Sequence, residues 1–383
     1  MKTKRNLLII STLTILFFSC SRSGKKAFER GNYYEAVQEA TAKLQKDARN
    51  KDAAETLPQA YGLAIKQFSQ DIQAAKNQNQ QFRWESVLDK TLKINELYQK
   101  IQECSACRKL VPNAQNFRNE EDEARENAAT ERYAAGTDLM RQKNRDAAKQ
   151  AFGHFDRIKQ IAPNFRDIDA RWNESLFAAS VHVVVEQAKI NSRLYQYSNE
   201  YFQGRISDFL STSRKLNKFV QFYSPQQATN IKLSPDQIIR LEFIDFVVGE
   251  TNTDSNTQTV TSKDSVNVGE ATINGKKVPV RGKVNAQLTK FHRAVRSRGV
   301  LAMDIIDFQS NKMLSHEEIP GEYVWVNEWA KYNGDERALS DADKNLCKNH
   351  EQLPPAREQL FIEFCKPIYD QFTSRVKRFY DKY

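Results

Sequence analysis

An α+β fold is what this sequence predicts, with helical hairpins first and a mixed sheet second. Three observations carry that reading. From residue 24 to about 179, Gly and Pro are scarce and apolar residues recur at helical spacing. From Ser180 onward, β-branched runs alternate with turn pairs such as Asn274-Gly275. The length of 383 residues allows two or three domains with their own cores, and 40% hydrophobic with 28% charged residues suits a folded chain.

Residues 1–20 read MKTKRNLLIISTLTILFFSC. Lys2, Lys4 and Arg5 precede an apolar core from Leu7 to Phe18, then Ser19 and Cys20. This is the layout of a secretory signal peptide over 1–19, and the apolar run falls short of the roughly 20 residues that span a bilayer. A cysteine directly after the core resembles the lipobox of bacterial lipoproteins, in the relaxed form found in Bacteroidetes-type bacteria. Phe17 stands where that family usually has Leu. The resemblance implies acylation of Cys20. No acid follows Cys20, so by the same resemblance the expected address is the outer membrane, facing the periplasm.

Residues 20–179 form the helical domain. Leu57, Tyr61, Ala64 and Phe68 line one face, as do Val87, Thr91, Ile94, Tyr98 and Ile101. Gly24, Phe28, Gly31, Tyr33, Ala36, Ala40 and Leu44 mark a first hairpin. Gly136, Leu139, Asn144, Ala148, Phe152, Ile158 and Pro163 mark a second. These patterns resemble tetratricopeptide repeats, in which a small residue lets two helices approach closely. Ala36 and Ala148 lie further apart than the family period of about 34 residues, and the stretch around Trp84 lacks the small residues.

Residues 180–340 read as the sheet domain. Val181–Val185 is a buried strand, 201–213 a helix, and 218–222 a second strand. Ser224-Pro225 opens a helix, and Ile238 to Val248 is a long strand. Residues 251–270, rich in Thr, Ser, Asn and Asp, are expected to form a loop or an exposed hairpin arm. A strand from about Val280 to Arg296 is expected to turn at Arg298-Gly299 into a strand ending at Phe308. A turn at 309–312 then leads to Met313-Leu314. The segment Asp304 to Leu314 resembles a hairpin of the curli-secretion channel lipoproteins, the peptidoglycan-synthase activator lipoproteins and the amino-terminal domain of TolB. That resemblance implies partner binding or pore building rather than catalysis. Ser262 to Val280 reads as polar on both faces, which disfavours a channel. Residues 341–383 are expected to pack on the sheet as a helix, with Leu360, Phe361, Phe364, Ile368, Phe372, Val376 and Phe379 as its apolar stripe and a kink at Pro367.

Chemistry-bearing groups are sparse. Cys104-Ser-Ala-Cys107, with Cys347 and Cys365, gives an even number of cysteines after Cys20. In an oxidising compartment disulfides are the default, with a metal site, a redox pair or reduced thiols as the alternatives, and the pairing stays open. His154, His182, His292, His316 and His350 are scattered, and His316-Glu317-Glu318 lacks the second histidine of a zincin. No Gly-x-Ser-x-Gly, phosphate loop or dinucleotide fingerprint occurs. No cofactor and no enzymatic activity are therefore expected. Trp325, Trp329, Tyr332, Asp335, Glu336 and Arg337 crowd into one stretch. They read either as sheet packing followed by a turn, or as a ligand loop whose carboxylates beside aromatics bind sugar or do acid–base work. A formal charge of +10 is spread without a dense Lys/Arg tract, so nucleic acid is not an expected partner. The expected partners are the outer membrane, through lipid, and an envelope protein. A peptidoglycan- or carbohydrate-binding role is the alternative, and an oligomeric secretion channel the third.

Overall fold

The computed structural model describes residues 23–190, 196–213 and 217–383. The leader and Cys20 lie outside the described residues. The chain divides into two compact units, Met1–Ala179 and Ser180–Tyr383. Helix and mixed sheet together make it an α+β protein.

The first unit is all helix: α1 (Lys25–Glu29), α2 (Tyr33–Lys46), α3 (Lys51–Asn77), α4 (Arg83–Glu103), α5 (Ser105–Leu110), α6 (Arg118–Met140), α7 (Arg145–Ile161) and α8 (Ile168–Ala179). Local chemistry starts two of them. The Asn50 side chain accepts from Ala53 N at 3.0 Å, and Asn144 from Ala147 N at 2.8 Å. The predicted apolar faces are buried, with Leu57, Val87, Ile94 and Ile101 fully so. The small residues act by close approach. A Cβ on Gly24 would sit 2.4 Å from Ala36 O, and one on Gly136 would sit 2.7 Å from the Phe155 ring. Phe155, rather than Phe152, is thus the aromatic seated against the glycine.

The second unit contains β1 (Val181–Val185), α9 (Gln196–Ser213), β2 (Val220–Tyr223), α10 (Pro225–Asn230), β3 (Gln237–Thr261), β4 (Val266–Ile273), β5 (Lys276–Gly282), β6 (Asn285–Asp307), β7 (Met313–Gly334), α11 (Asp341–Lys348) and α12 (Arg357–Tyr380). The main sheet runs β2-β1-β3-β6-β7, and β4-β5 form a two-stranded sheet of their own. β1 pairs in parallel with β2 and β3, and the remaining pairings are antiparallel. Ser224 opens α10 with a reciprocal capping box.

One open expectation about strands is decided and another is corrected. Of the two readings of residues 251–270, a loop or an exposed hairpin arm, the structure has the arm: 251–261 are the far end of β3, each with a partner on β6 from Val295 to Asn285. Arg298-Gly299 is not a turn but lies inside β6. Gly299 is opposite Gly321 on β7. A Cβ at Gly299 would meet Phe364 at 2.7 Å, and one at Gly321 would meet both Ile368 Cγ1 and Phe364 O at 2.5 Å. The paired glycines form a bed on which α12 lies, the close-approach use of glycine in a strand.

α12 runs unbroken through Pro367. Phe361, Phe364, Ile368 and Phe372 are all 0% exposed, packed with Leu241, Phe243, Leu301, Met303 and Ile319. Burying each such side chain contributes about 1.5–3 kcal/mol. α12 also shields the β7 edge. Gln371 Nε2 donates to Pro320 O at 2.8 Å, and Arg375 Nη1 donates to Glu318 O at 3.2 Å. Among the described residues, no helix is long and apolar enough to cross a membrane.

Candidate functional site

The β6–β7 turn is closed by its own side chains. Asp307 Oδ1 accepts from Ser310 N at 2.9 Å and from Ser310 Oγ at 2.6 Å. From this turn the register runs outward so that Phe291 faces Trp329, with Ser255 of β3 on the other flank. The two rings stack, 5.1 Å between centroids and 7° between planes. The Arg293 guanidinium lies 5.4 Å from the Trp329 ring, and the Lys331 ammonium 5.9 Å from the Phe291 ring.

Residues 349–352 cross the β7 edge and hold this region in place. Asn349 Nδ2 donates to Glu328 O at 3.0 Å, and Gln352 N donates to Asn327 Oδ1 at 3.0 Å. Arg293 Nη2 donates to Glu351 Oε1 at 2.6 Å. Lys290 Nζ reaches Asp343 Oδ1 of α11 at 2.7 Å. The bond from Lys290, followed by that from Ser340, holds the Asp343 carboxyl below the usual carboxylate range. A cavity of about 210 Å³ opens here, lined by Asp254, Lys290, Phe291, His292, Glu328 and Trp329 among others.

Of the two readings of the stretch from Trp325 to Arg337, the structure has sheet packing followed by a turn and not a loop. Trp325, Trp329 and Tyr332 are all on β7. Strand alternation puts Trp325 and Trp329 on one face and Tyr332 on the other. Trp329 is 4% exposed and Tyr332 is 41% exposed. Asp335, Glu336 and Arg337 follow in a tight turn that Asp335 caps. Arg337 satisfies Asp335 with bonds of 2.9 and 2.5 Å, which draw the carboxyl down to about 2. Arg337 Nη1 also donates to Asn267 O at 2.7 Å. Of the six, the cavity therefore takes only Trp329. Among its other members, Phe291, Lys290, Asp254 and Glu328 were not singled out from the sequence, and His292 was read there only as one of the scattered histidines. The signal was available, since Phe291 and Trp329 are equidistant from Ser310, the centre of a turn legible in the sequence.

The cysteines separate. Cys104 and Cys107 form a disulfide between α4 and α5, both buried. Cys347 on α11 and Cys365 on α12 are free thiols. Burial pushes both thiols up, Cys365 the further. This disfavours the thiolate that a metal would need. Among the described residues, no group of His, Cys, Asp or Glu is placed to hold a metal ion.

Neither a protein-family profile nor a curated protein matches the chain. Among solved structures it is similar to one described as a neuraminyllactose-binding hemagglutinin homolog from Helicobacter pylori. That match has 12% identity and a TM-score of 0.23, covering 52% of this chain and 84% of that one. It is also similar to the hypothetical protein CT253 from Chlamydia trachomatis, at 12% identity and a TM-score of 0.21, covering 52% of this chain and 96% of that one.

Proposed function

We propose that the chain is an outer-membrane lipoprotein, acylated at Cys20 and facing the periplasm, that binds an envelope protein and has no catalytic role. Its address rests on the leader that ends in Cys20. The observation that carries the binding role is the arm. β3 runs on past the sheet covered by α12, and its residues from Thr251 to Thr259 are all exposed. β6 and β7 beside it keep a small core, with Ala286, Leu288 and Ala330 against Leu339. The β3 stretch adds little to that core and is paired on its β6 side alone, so its polar length suits contact with something else. In this reading α1–α2 and α6–α7 are tetratricopeptide-like hairpins, supported by the close approaches at Gly24 and Gly136. The second unit is then related to the curli-channel lipoproteins.

Two measurements test this. Intact mass of the isolated protein is expected to show loss of residues 1–19 and a gain of acyl chains; a retained Met1 without acyl mass contradicts the address. Crosslinking and pull-down from detergent-solubilised envelopes is expected to recover a partner in defined ratio, and bait alone contradicts the binding role.

A second reading, carbohydrate or peptidoglycan binding, is favoured by the cavity whose lining includes Phe291 and Trp329 as well as Asp254, His292 and Glu328. Sedimentation with purified cell wall tests it. Phe291→Ala is expected to abolish co-sedimentation if this reading holds; equal sedimentation of the two proteins removes it.

A further inference from the structure

We propose that the β4–β5 hairpin is a docking surface for an anionic lipid membrane. The inference rests on the envelope-lipoprotein reading only for its setting.

The hairpin forms by local rules. Asn274 (φ 53°) and Gly275 (φ 78°) both take left-handed conformations. That is the two-residue turn whose twist matches paired strands. The register then sorts its residues. Ile273 is opposite Lys276, Ala271 opposite Val278, and Gly269 opposite Val280. Directly opposed residues share a face, so these form one side. The irregularity between Asn267 and Gly269 adds Val268, whose methyl lies 3.4 Å from where a Cβ of Gly282 would be. Glu270, Thr272, Lys277 and Arg281 fall on the opposite side. The expectation that this stretch is polar on both faces is thereby corrected: its apolar residues share one.

That face is bare. Val268, Ile273, Val278 and Val280 are 46%, 58%, 41% and 43% exposed. A two-stranded sheet is marginal in water without a covered face. Charge identifies what covers it. Lys263, Lys276, Lys277, Arg281 and Lys283 outnumber Asp264 and Glu270. Lys276 stands at the tip beside Ile273, on the apolar side, where a lysine stem can lie along hydrocarbon while its ammonium meets a headgroup. Lys277 already reaches Glu270 at 3.3 Å on the opposite side, so an anionic surface acts first on Lys276 and, at longer range, on the hairpin's net positive charge. A second copy of the hairpin would instead bring the same lysines together. With strands of 8 and 7 residues, the hairpin is short of the roughly 9–11 that cross a bilayer, so it lies at the interface.

The test uses the protein as isolated, acylated or not, mixed with vesicles of phosphatidylcholine alone or with about a quarter phosphatidylglycerol. Amide hydrogen exchange over residues 263–283 is read by mass spectrometry. Exchange is expected to slow roughly tenfold on the anionic vesicles only. The protection is expected to vanish in Lys276→Glu/Lys277→Glu and in Val278→Ser/Val280→Ser. Both pairs are exposed, and unchanged exchange in α12 would verify that they fold. Equal exchange on both vesicle types overturns the proposal. So does protection that appears without vesicles as protein concentration rises, since that means a second copy. An unacylated mass would remove the anchor and leave this readout intact.

Discussion

The antiparallel strands beneath α12 and those of the β4–β5 hairpin pair by the same rules, yet they stand at opposite ends of burial. Along β3 from Gln237 to Phe243, exposure alternates strictly, one face lying in the core. Along β5 from Lys276 to Arg281, every residue is exposed. Strand formation is therefore set by register and turn chemistry, whereas stability comes from the helix laid over the strands. A protein that keeps a regular but uncovered hairpin has surface to spare for an outside contact.

The comparison is tested most severely at its buried end. Phe364→Ala removes a ring from the centre of the α12 interface and is expected to cost about 3–5 kcal/mol in denaturant unfolding. A loss below about 1 kcal/mol would mean α12 is not what stabilises the sheet. Gly321→Val is expected to cost about 1–3 kcal/mol, because its branches would press on the Phe364 carbonyl, and backbone cannot move aside. Val278→Ser/Val280→Ser, at the bare end, is expected to stay within about 0.5 kcal/mol of the parent. The smallest effect concerns the tether from Arg337 to Asn267 O. Asp335 titrates near 2, depressed from 3.8 first by its bond from Arg337. Its contribution is thus present above pH 3.8 and lost as pH falls through about 2. Amide exchange at residues 336–339 is expected to speed up across that window and to show no such step in Asp335→Asn.

Much of the architecture was legible in the residues. The run Val181–Val185, the capping pair at Ser224, the Asn274-Gly275 turn and the apolar stripe of α12 are all local signals, and the structure places each where the pattern implies. What was not legible depends on distant partners. Residues 251–261 left a loop and a hairpin arm both open because Thr, Asn and Ser carry no periodicity; they are strand because β6 pairs with them. Gly299 looks like a turn because its partner in packing, Phe364, is far along the chain. The cavity at Phe291 was hidden for the same reason, and only register assembles it. The ligand-loop residues were close in sequence but alternate across a strand, so proximity there misled.

Ser262 N donates to Val284 O at 2.9 Å, so the two ends of the hairpin already meet. Replacing residues 263–283 with a two-residue Asn-Gly turn removes the bare hairpin while keeping that pair. If the covered sheet alone sustains the second unit, the thermal unfolding midpoint is expected to stay within about 2 °C of the parent. A fall of more than about 10 °C, or loss of a single cooperative transition, would contradict the division between a stabilised sheet and a hairpin left free for contact.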